Sequence, residues 1–161
     1  MPFQDYEEFI ASLNEHHVRY LIVGAQALAH HARPRATKDL DIWIDPAAAN
    51  AKRVLAAMHS FFGADTGYTV RDLTDRSTVI QLGVAPVRID ILSGLSGVAR
   101  FSDAWKNRTE GTFGTARTYF IGLEELILSK EAADRLQDRA DVRVLKRAKA
   151  KQSKVRQRRK H

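Results

Sequence analysis

Tyr20–Ile44, YLIVGAQALAHHARPRATKDLDIWI, reads as two strands around a glycine and a short helix. Val18 to Val23 (VRYLIV) is rich in β-branched and aromatic residues, the composition of a buried strand. Gly24 breaks it, Gln26 to His31 reads as a short helix, and Pro34 ends that helix or lies just beyond it. Lys38 to Ile44 (KDLDIWI) then alternates strictly, as a half-buried strand does. A period of two puts Asp39 and Asp41 on one face and Leu40, Ile42 and Ile44 on the other. The apolar face can bury against a core while the two acids point into a cleft.

Outward from this stretch, Phe3 to His17 carries Phe3, Tyr6, Phe9, Ile10 and Leu13 at helical spacings. After Ile44, Asp45 reads as an N-cap and Pro46 as the first turn of a helix reaching Phe62. Gly63 to Gly67 is a loop. Tyr68 to Leu73, Ser77 to Leu82 and Val87 to Leu92 read as three strands, Leu95 to Lys106 as loop or short helix, and Thr115 to Ile121 as another strand. Gly122 to Asp134 is helical, followed by a second helical stretch to about Ala150. The order predicts an α/β (α+β) fold, a mixed β-sheet flanked by helices, with C-terminal helices.

The 161 residues suit one domain, with 44% apolar and 28% charged residues as in globular proteins. No apolar run is long enough to span a bilayer, and the acidic N-terminus MPFQDYEEFI lacks the pattern of a secretory signal, so no membrane association is expected. Cysteine is absent, which excludes disulfides, thiolate catalysis and Cys-ligated zinc and fits a cytoplasmic location. The net charge of +7 is unevenly spread. Arg143 to His161 holds ten Lys/Arg and no acid, leaving 16 of the 26 basic and all 19 acidic residues before it, a net of −3. The division is therefore a body, 1–142, and a basic tail, 143–161, helical or disordered. Such a tail attracts phosphate polymers, or it serves only as a solvated extension.

Two carboxylates as close as Asp39 and Asp41 repel each other, and a divalent cation relieves that repulsion. Magnesium suits such a site because it prefers oxygen ligands and is held by one or two carboxylates plus substrate phosphates. In RIDIL (Arg88–Leu92), Asp90 sits among apolar residues in a strand and joins the pair if the two strands are neighbours. One carboxylate of such a triad can then act as general base. The plainer alternative is a polar strand face, with Arg88 pairing Asp90 from two residues away. Gly24, between strand and helix, exposes backbone N–H groups suited to an anion, or is an ordinary tight turn.

This succession of apolar-Gly, Asp-x-Asp and a later strand Asp resembles the DNA polymerase β-like nucleotidyltransferase superfamily. The Tyr20–Ile44 stretch, RIDIL and GLEELILSKEAADRLQDRADVRVL are similar to its minimal bacterial branch, which includes AbiEii/MenA-type toxins of type IV toxin–antitoxin systems. The resemblance implies the nucleotidyltransferase fold, magnesium, and transfer of a nucleoside monophosphate from an NTP with release of pyrophosphate. It implies metal-holding roles for Asp39, Asp41 and Asp90, Asp90 being the general base, and a phosphate seat at Gly24 and Ala25. Arg35 and Thr37 match the branch as nucleotide-binding residues. The acceptor implied is RNA, particularly a tRNA 3′ end, with an antitoxin protein as a partner; a protein or an antibiotic hydroxyl is the alternative acceptor. One departure is Ala25, where the superfamily has Gly or Ser: an alanine offers only its backbone N–H to a triphosphate, which weakens binding. A non-catalytic RNA- or nucleotide-binding module on the same fold is the rival reading.

Read as one continuous helix, Leu123, Leu126, Ile127, Lys130, Asp134 and Asp141 form a single stripe, apolar then polar. Lys130 continues the buried face and needs an anion. The local candidate is Asp134, one turn on; the functional one is the triphosphate. Lys130, Arg135 and Asp138 match a Lys-Arg-Asp motif of AbiEii-like proteins, which implies catalytic or nucleotide-binding roles for Lys130 and Asp138. Trp43 shares the strand face of the two acids and reads as a packed edge tryptophan, or lies beside a base.

Overall fold

The computed structural model describes residues 2–34, 39–83 and 88–160. Helix α1 (Pro2–Glu15) leads into strand β1 (Tyr20–Val23), which is buried along its whole length. Phe9, Ile10 and Leu13 of α1 are fully buried, each contributing roughly 1.5–3 kcal/mol. Helix α2 (Gly24–His31) follows β1 directly, then β2 (Asp39–Ile44) and α3 (Ala48–Phe62). A short α4 (Val70–Thr74) precedes the antiparallel pair β3 (Val79–Leu82) and β4 (Arg88–Leu92). After α5 (Phe101–Lys106), β5 (Thr109–Phe113) and β6 (Ala116–Phe120) form a hairpin, and α6 (Leu123–Ala133) and α7 (Leu136–Arg159) complete the chain.

The six strands make one mixed sheet in the order β3-β4-β2-β1-β6-β5. Strands β1 and β2 are antiparallel, whereas β2–β4 and β1–β6 are parallel. The expected α/β class, with a mixed sheet, flanking helices and C-terminal helices, is the one observed. Leu40, Ile42 and Ile44 of β2 are fully buried, and Ile89 and Ile91 of β4 and Ile80 and Leu82 of β3 are buried beside them in register. Helix α1 packs along α3, where Phe9 meets Phe61 edge-on and Ser12 Oγ donates to the Ala57 carbonyl. Helix α2 lies on β1 and β2 and reaches α6 and α7.

Four features differ from the sequence expectation. Tyr68–Leu73, expected as a strand, holds α4 instead. A capping box starts it: Thr69 Oγ1 accepts from the Asp72 N–H and Asp72 accepts from the Thr69 N–H. Strand β5 was not expected; it pairs Phe113 with Ala116 across a two-residue turn whose Gly114 has a positive φ. Asp45 does not cap α3, whose N-cap is Ala47; the Asp45 carboxylate accepts the Ala47 N–H two residues ahead of the helix. The helical stretch expected to fade near Ala150 runs to Arg159 as part of α7. The helix end expected at Asp134 is observed: Asp134 adopts a left-handed conformation (φ 50°) and ends α6, a geometry Asp tolerates better than most residues, so the single stripe drawn from Leu123 to Asp141 in fact spans two helices.

Candidate functional site

Parallel pairing of β2 with β4 sets Asp41 opposite Asp90 and Asp39 opposite Arg88. Side chains at paired positions share a face, so the two strands bring the three acids together. All three line one cleft of about 360 Å³, with Gly24, Arg88, Lys130, Arg135 and Asp138 around it. The acids lie inside the sheet, since β4 and β2 both have strands on either side.

Gly24 is fitted to this site. Its φ is +69°, and a Cβ there would overlap the Asp41 carboxylate. A side chain at this position is strained by conformation and would displace the Asp41 carboxylate. Ala25 follows it in α2, half-buried, and does not line the cleft. Arg35 and Thr37 fall outside the described residues.

Burial pushes the Asp41 carboxyl up to about 6, reinforced by the charges of Asp90 and Asp39 and by a hydrogen bond to Asp90. Asp90 has a counter-ion within its own strand. Arg88 Nε donates to Asp90 Oδ1 at 3.1 Å and Nη2 to Oδ2 at 3.2 Å, while Asp39 stands 4.0 Å from the same guanidinium. The pairing weighed from the sequence as the plainer alternative is therefore present. As placed, no group of three or more His, Asp or Glu among the described residues forms a ready metal cage. The donor chemistry nevertheless fits magnesium: three carboxylates in one cleft, with the Asp41 charge disfavoured by burial and by its acidic neighbours until a cation offsets it. The Arg88 side chain is 39% exposed, whereas the Asp90 side chain is 12% exposed.

Lys130 is buried and its partners come from α7. Its Nζ donates to Asp141 Oδ2 at 3.1 Å and stands 3.4 Å from Asp138 Oδ1. The local partner expected from the sequence, Asp134, pairs with Arg139 instead. The break at Asp134 is the reason: it reverses the chain and lays the first turns of α7 against Lys130. Arg135 Nε donates to Asp138 Oδ2 at 2.7 Å. Burial opposes the Asp138 charge, but the Arg135 hydrogen bonds and the Lys130 charge outweigh it and hold the carboxyl below its usual range.

Trp43 is not an edge tryptophan. It lies on an interior strand, 2% exposed, edge-on to Phe101 at 5.0 Å. No helix among the described residues is long and apolar enough to cross a membrane.

The chain belongs to a family described as nucleotidyltransferase of unknown function (DUF6036), which matches residues 3–148. No curated protein matches the chain.

Proposed function

We propose, with that family membership as the premise, that this chain moves a nucleoside monophosphate from an NTP to an acceptor hydroxyl and releases pyrophosphate. The observation that carries the reading is the register of β2 with β4, which puts Asp41 beside Asp90 in a cleft shared with Gly24 and Lys130. Asp39, Asp41 and Asp90 would hold magnesium, which supplies charge neutralisation and Lewis acidity at the phosphates. The chain's own residues position the rest. The start of α2 at Gly24 and Ala25 offers backbone N–H groups to phosphate. Lys130, held in place by Asp138 and Asp141, which balance its charge, sets an ammonium donor at the cleft wall. Arg88, released from Asp90, is free to meet the triphosphate. The acceptor oxygen bonds to the α-phosphorus, the bond to the pyrophosphate oxygen breaks, and Asp90 takes the hydroxyl proton.

RNA is the favoured acceptor, a tRNA 3′ end in particular, as for a toxin of a toxin–antitoxin pair held in check by an antitoxin protein. The exposed cations of α7 support this: from Lys151 to Lys160 every described residue is exposed, and six are Lys or Arg. A second reading, a nucleotide- or RNA-binding module without catalysis, is favoured by Ala25 and by the Arg88 guanidinium already seated on Asp90. The test is incubation with each labelled NTP, magnesium and total RNA or cell lysate. Label in RNA of tRNA size supports the first reading. Label in a protein or small molecule keeps the transferase and changes the acceptor. Magnesium-dependent NTP binding with no label transferred supports the module.

A further inference from the structure

A separate concavity of about 540 Å³ lies against the second half of α7 and shares no lining residue with the acid cleft. Helix α2 joins the two sites. Gly24 at its start lines the cleft, and His30 and His31 at its end line this pocket. Gly24 to His30 advances about 9 Å along the helix axis. On the α7 side, the pocket meets a face that the first half of the helix uses for packing. Asp138, Asp141, Val142 and Leu145 are buried. Lys149, Gln152 and Arg156 follow at the same spacings of three and four, so they continue that face. All three are exposed and line the pocket. The face that seals the core thus turns polar and cationic where it overhangs the pocket.

On the opposite side, the pocket holds a fixed aromatic plate. The His30 ring stacks on Phe120 of β6, with centroids 4.0 Å apart and planes 1° from parallel. Its Nε2 is hydrogen-bonded to Thr109 Oγ1 at 3.0 Å, and the His31 ring meets it edge-on at 4.9 Å. Gly111 makes room for the stack: a Cβ there would stand 3.0 Å from the Phe120 ring and 3.1 Å from the His30 ring. His30 is exposed even so, and the ring surface turned from Phe120 is available to a further planar group. The two acids of the pocket are already engaged. Glu124 pairs with Lys149 at 3.0 Å, and Glu125 accepts from the Asn107 amide at 2.6 Å. Arg156 has no acid partner among the described residues.

We propose that this pocket is a docking site for an unpaired RNA strand, remote from the reacting end, with one base stacked on His30 and a backbone phosphate on Arg156. A planar plate beside a free guanidinium is the pairing that holds single strands: stacking is tolerant of base identity, and the cation follows the backbone. A duplex keeps its bases stacked on one another and has none to offer the plate. The site therefore selects acceptors that carry an unpaired stretch long enough to reach from the acids to the far end of α2. The inference rests on the reading of RNA as the acceptor and adds to it a demand on RNA structure.

The test compares the unmodified full chain with His30→Ser, His30→Phe and Arg156→Gln, each verified as folded by circular dichroism and thermal unfolding. Both His30 variants lose the Thr109 hydrogen bond, so the difference between them reports the ring alone. Affinities are measured across a salt series for a short single-stranded oligoribonucleotide, for the same sequence as a duplex, and for poly-glutamate. His30→Ser should weaken single-strand binding by roughly five- to a hundredfold, His30→Phe should restore most of it, and duplex binding should be the same in all four proteins. Arg156→Gln should lower the single-strand salt slope by about 0.7. Single-strand affinity unchanged in His30→Ser, a loss shared equally by the duplex, or an unchanged salt slope in Arg156→Gln overturns the inference. Poly-glutamate that binds as tightly as the strand and responds alike to His30→Ser overturns it in favour of an acidic peptide. Label transferred from NTP to RNA by a chain whose RNA affinity ignores His30 overturns the docking site and leaves the transferase reading intact. Strand binding that depends on His30 in a chain that transfers no label overturns the transferase reading alone. An unmodified chain that binds no RNA overturns both the docking site and RNA as the acceptor.

Discussion

Asp41→Asn should stabilise the metal-free protein, and only above the acid range. Asp41 rises from 3.8 to about 6 through burial and the charges of Asp90 and Asp39. A carboxyl with a raised folded-state value binds its proton more tightly folded than unfolded. At pH below 3.8 it is protonated in both states and contributes no penalty. Between 3.8 and about 6 the unfolded chain loses the proton first, and folded stability falls as pH rises. Above about 6 the penalty levels off. A shift of this size corresponds to about 3 kcal/mol at full effect, and partial solvent access argues for about 1–3 kcal/mol. Asparagine resembles the protonated acid in shape and still donates to Asp90. Urea unfolding in a chelator at pH 4 and pH 7.5 is the assay. The two proteins should differ little at pH 4, with the variant more stable at pH 7.5. Adding magnesium should stabilise the native chain more than the variant and narrow the gap. A variant less stable than the native chain at pH 7.5 in chelator would refute the reasoning, because the Asp41 charge would then be welcome in its site.

The remaining expectations concern the neighbours of the acids. Gly24→Ala forces a Cβ onto the Asp41 carboxylate at φ +69° and should cost about 1–3 kcal/mol, relieved in part by Asp41→Gly in the same chain; additive losses in that double-mutant cycle would show that the two do not touch. Lys130→Met leaves Asp138 and Asp141 buried without their ammonium and should cost about 3–5 kcal/mol; a loss below about 1 kcal/mol in denaturant unfolding would show that α7 does not depend on it. Deleting Ala150 to His161 removes six Lys/Arg, so RNA affinity should weaken and lose most of its salt dependence while NTP binding persists. Equal salt slopes for full-length and truncated protein would make the tail a solubilising extension only.

Much of this arrangement was legible before any coordinates. The alternation in KDLDIWI and RIDIL separates Leu40, Ile42, Ile44, Ile89 and Ile91 from the acids, which fall on the opposite face as the period requires; that Trp43 and Asp90 on this second face are buried as well comes from what packs over them. What a strand pattern does not contain is its neighbour: that β2 pairs with β4, in a register facing Asp41 with Asp90, arises from the whole sheet. Helix α4 was misread because Tyr68, Thr69, Val70 and Leu73 favour strands, while the deciding signal was local, Thr69 followed three residues later by Asp72. Strand β5 was missed because TEGTF has one large apolar residue and earns its place by pairing with β6. Asp134 was offered as the local partner of Lys130 because the stripe was drawn as one helix through the end read at Asp134. Asp134 stops α6 without a glycine or proline, and the acids that reach Lys130 come from beyond the turn.

The central claim is that the acids of β2 and β4 serve nucleotidyl transfer. The most direct measurement follows pyrophosphate release and labelled product from an α-labelled NTP, with magnesium and total RNA, for the native chain, Asp41→Asn and Asp90→Asn. Native chain that labels an acceptor and releases pyrophosphate in equal amount, with both variants folded and reduced by at least a hundredfold, is the expected result. Transfer by folded Asp41→Asn and Asp90→Asn at the native rate would contradict the account.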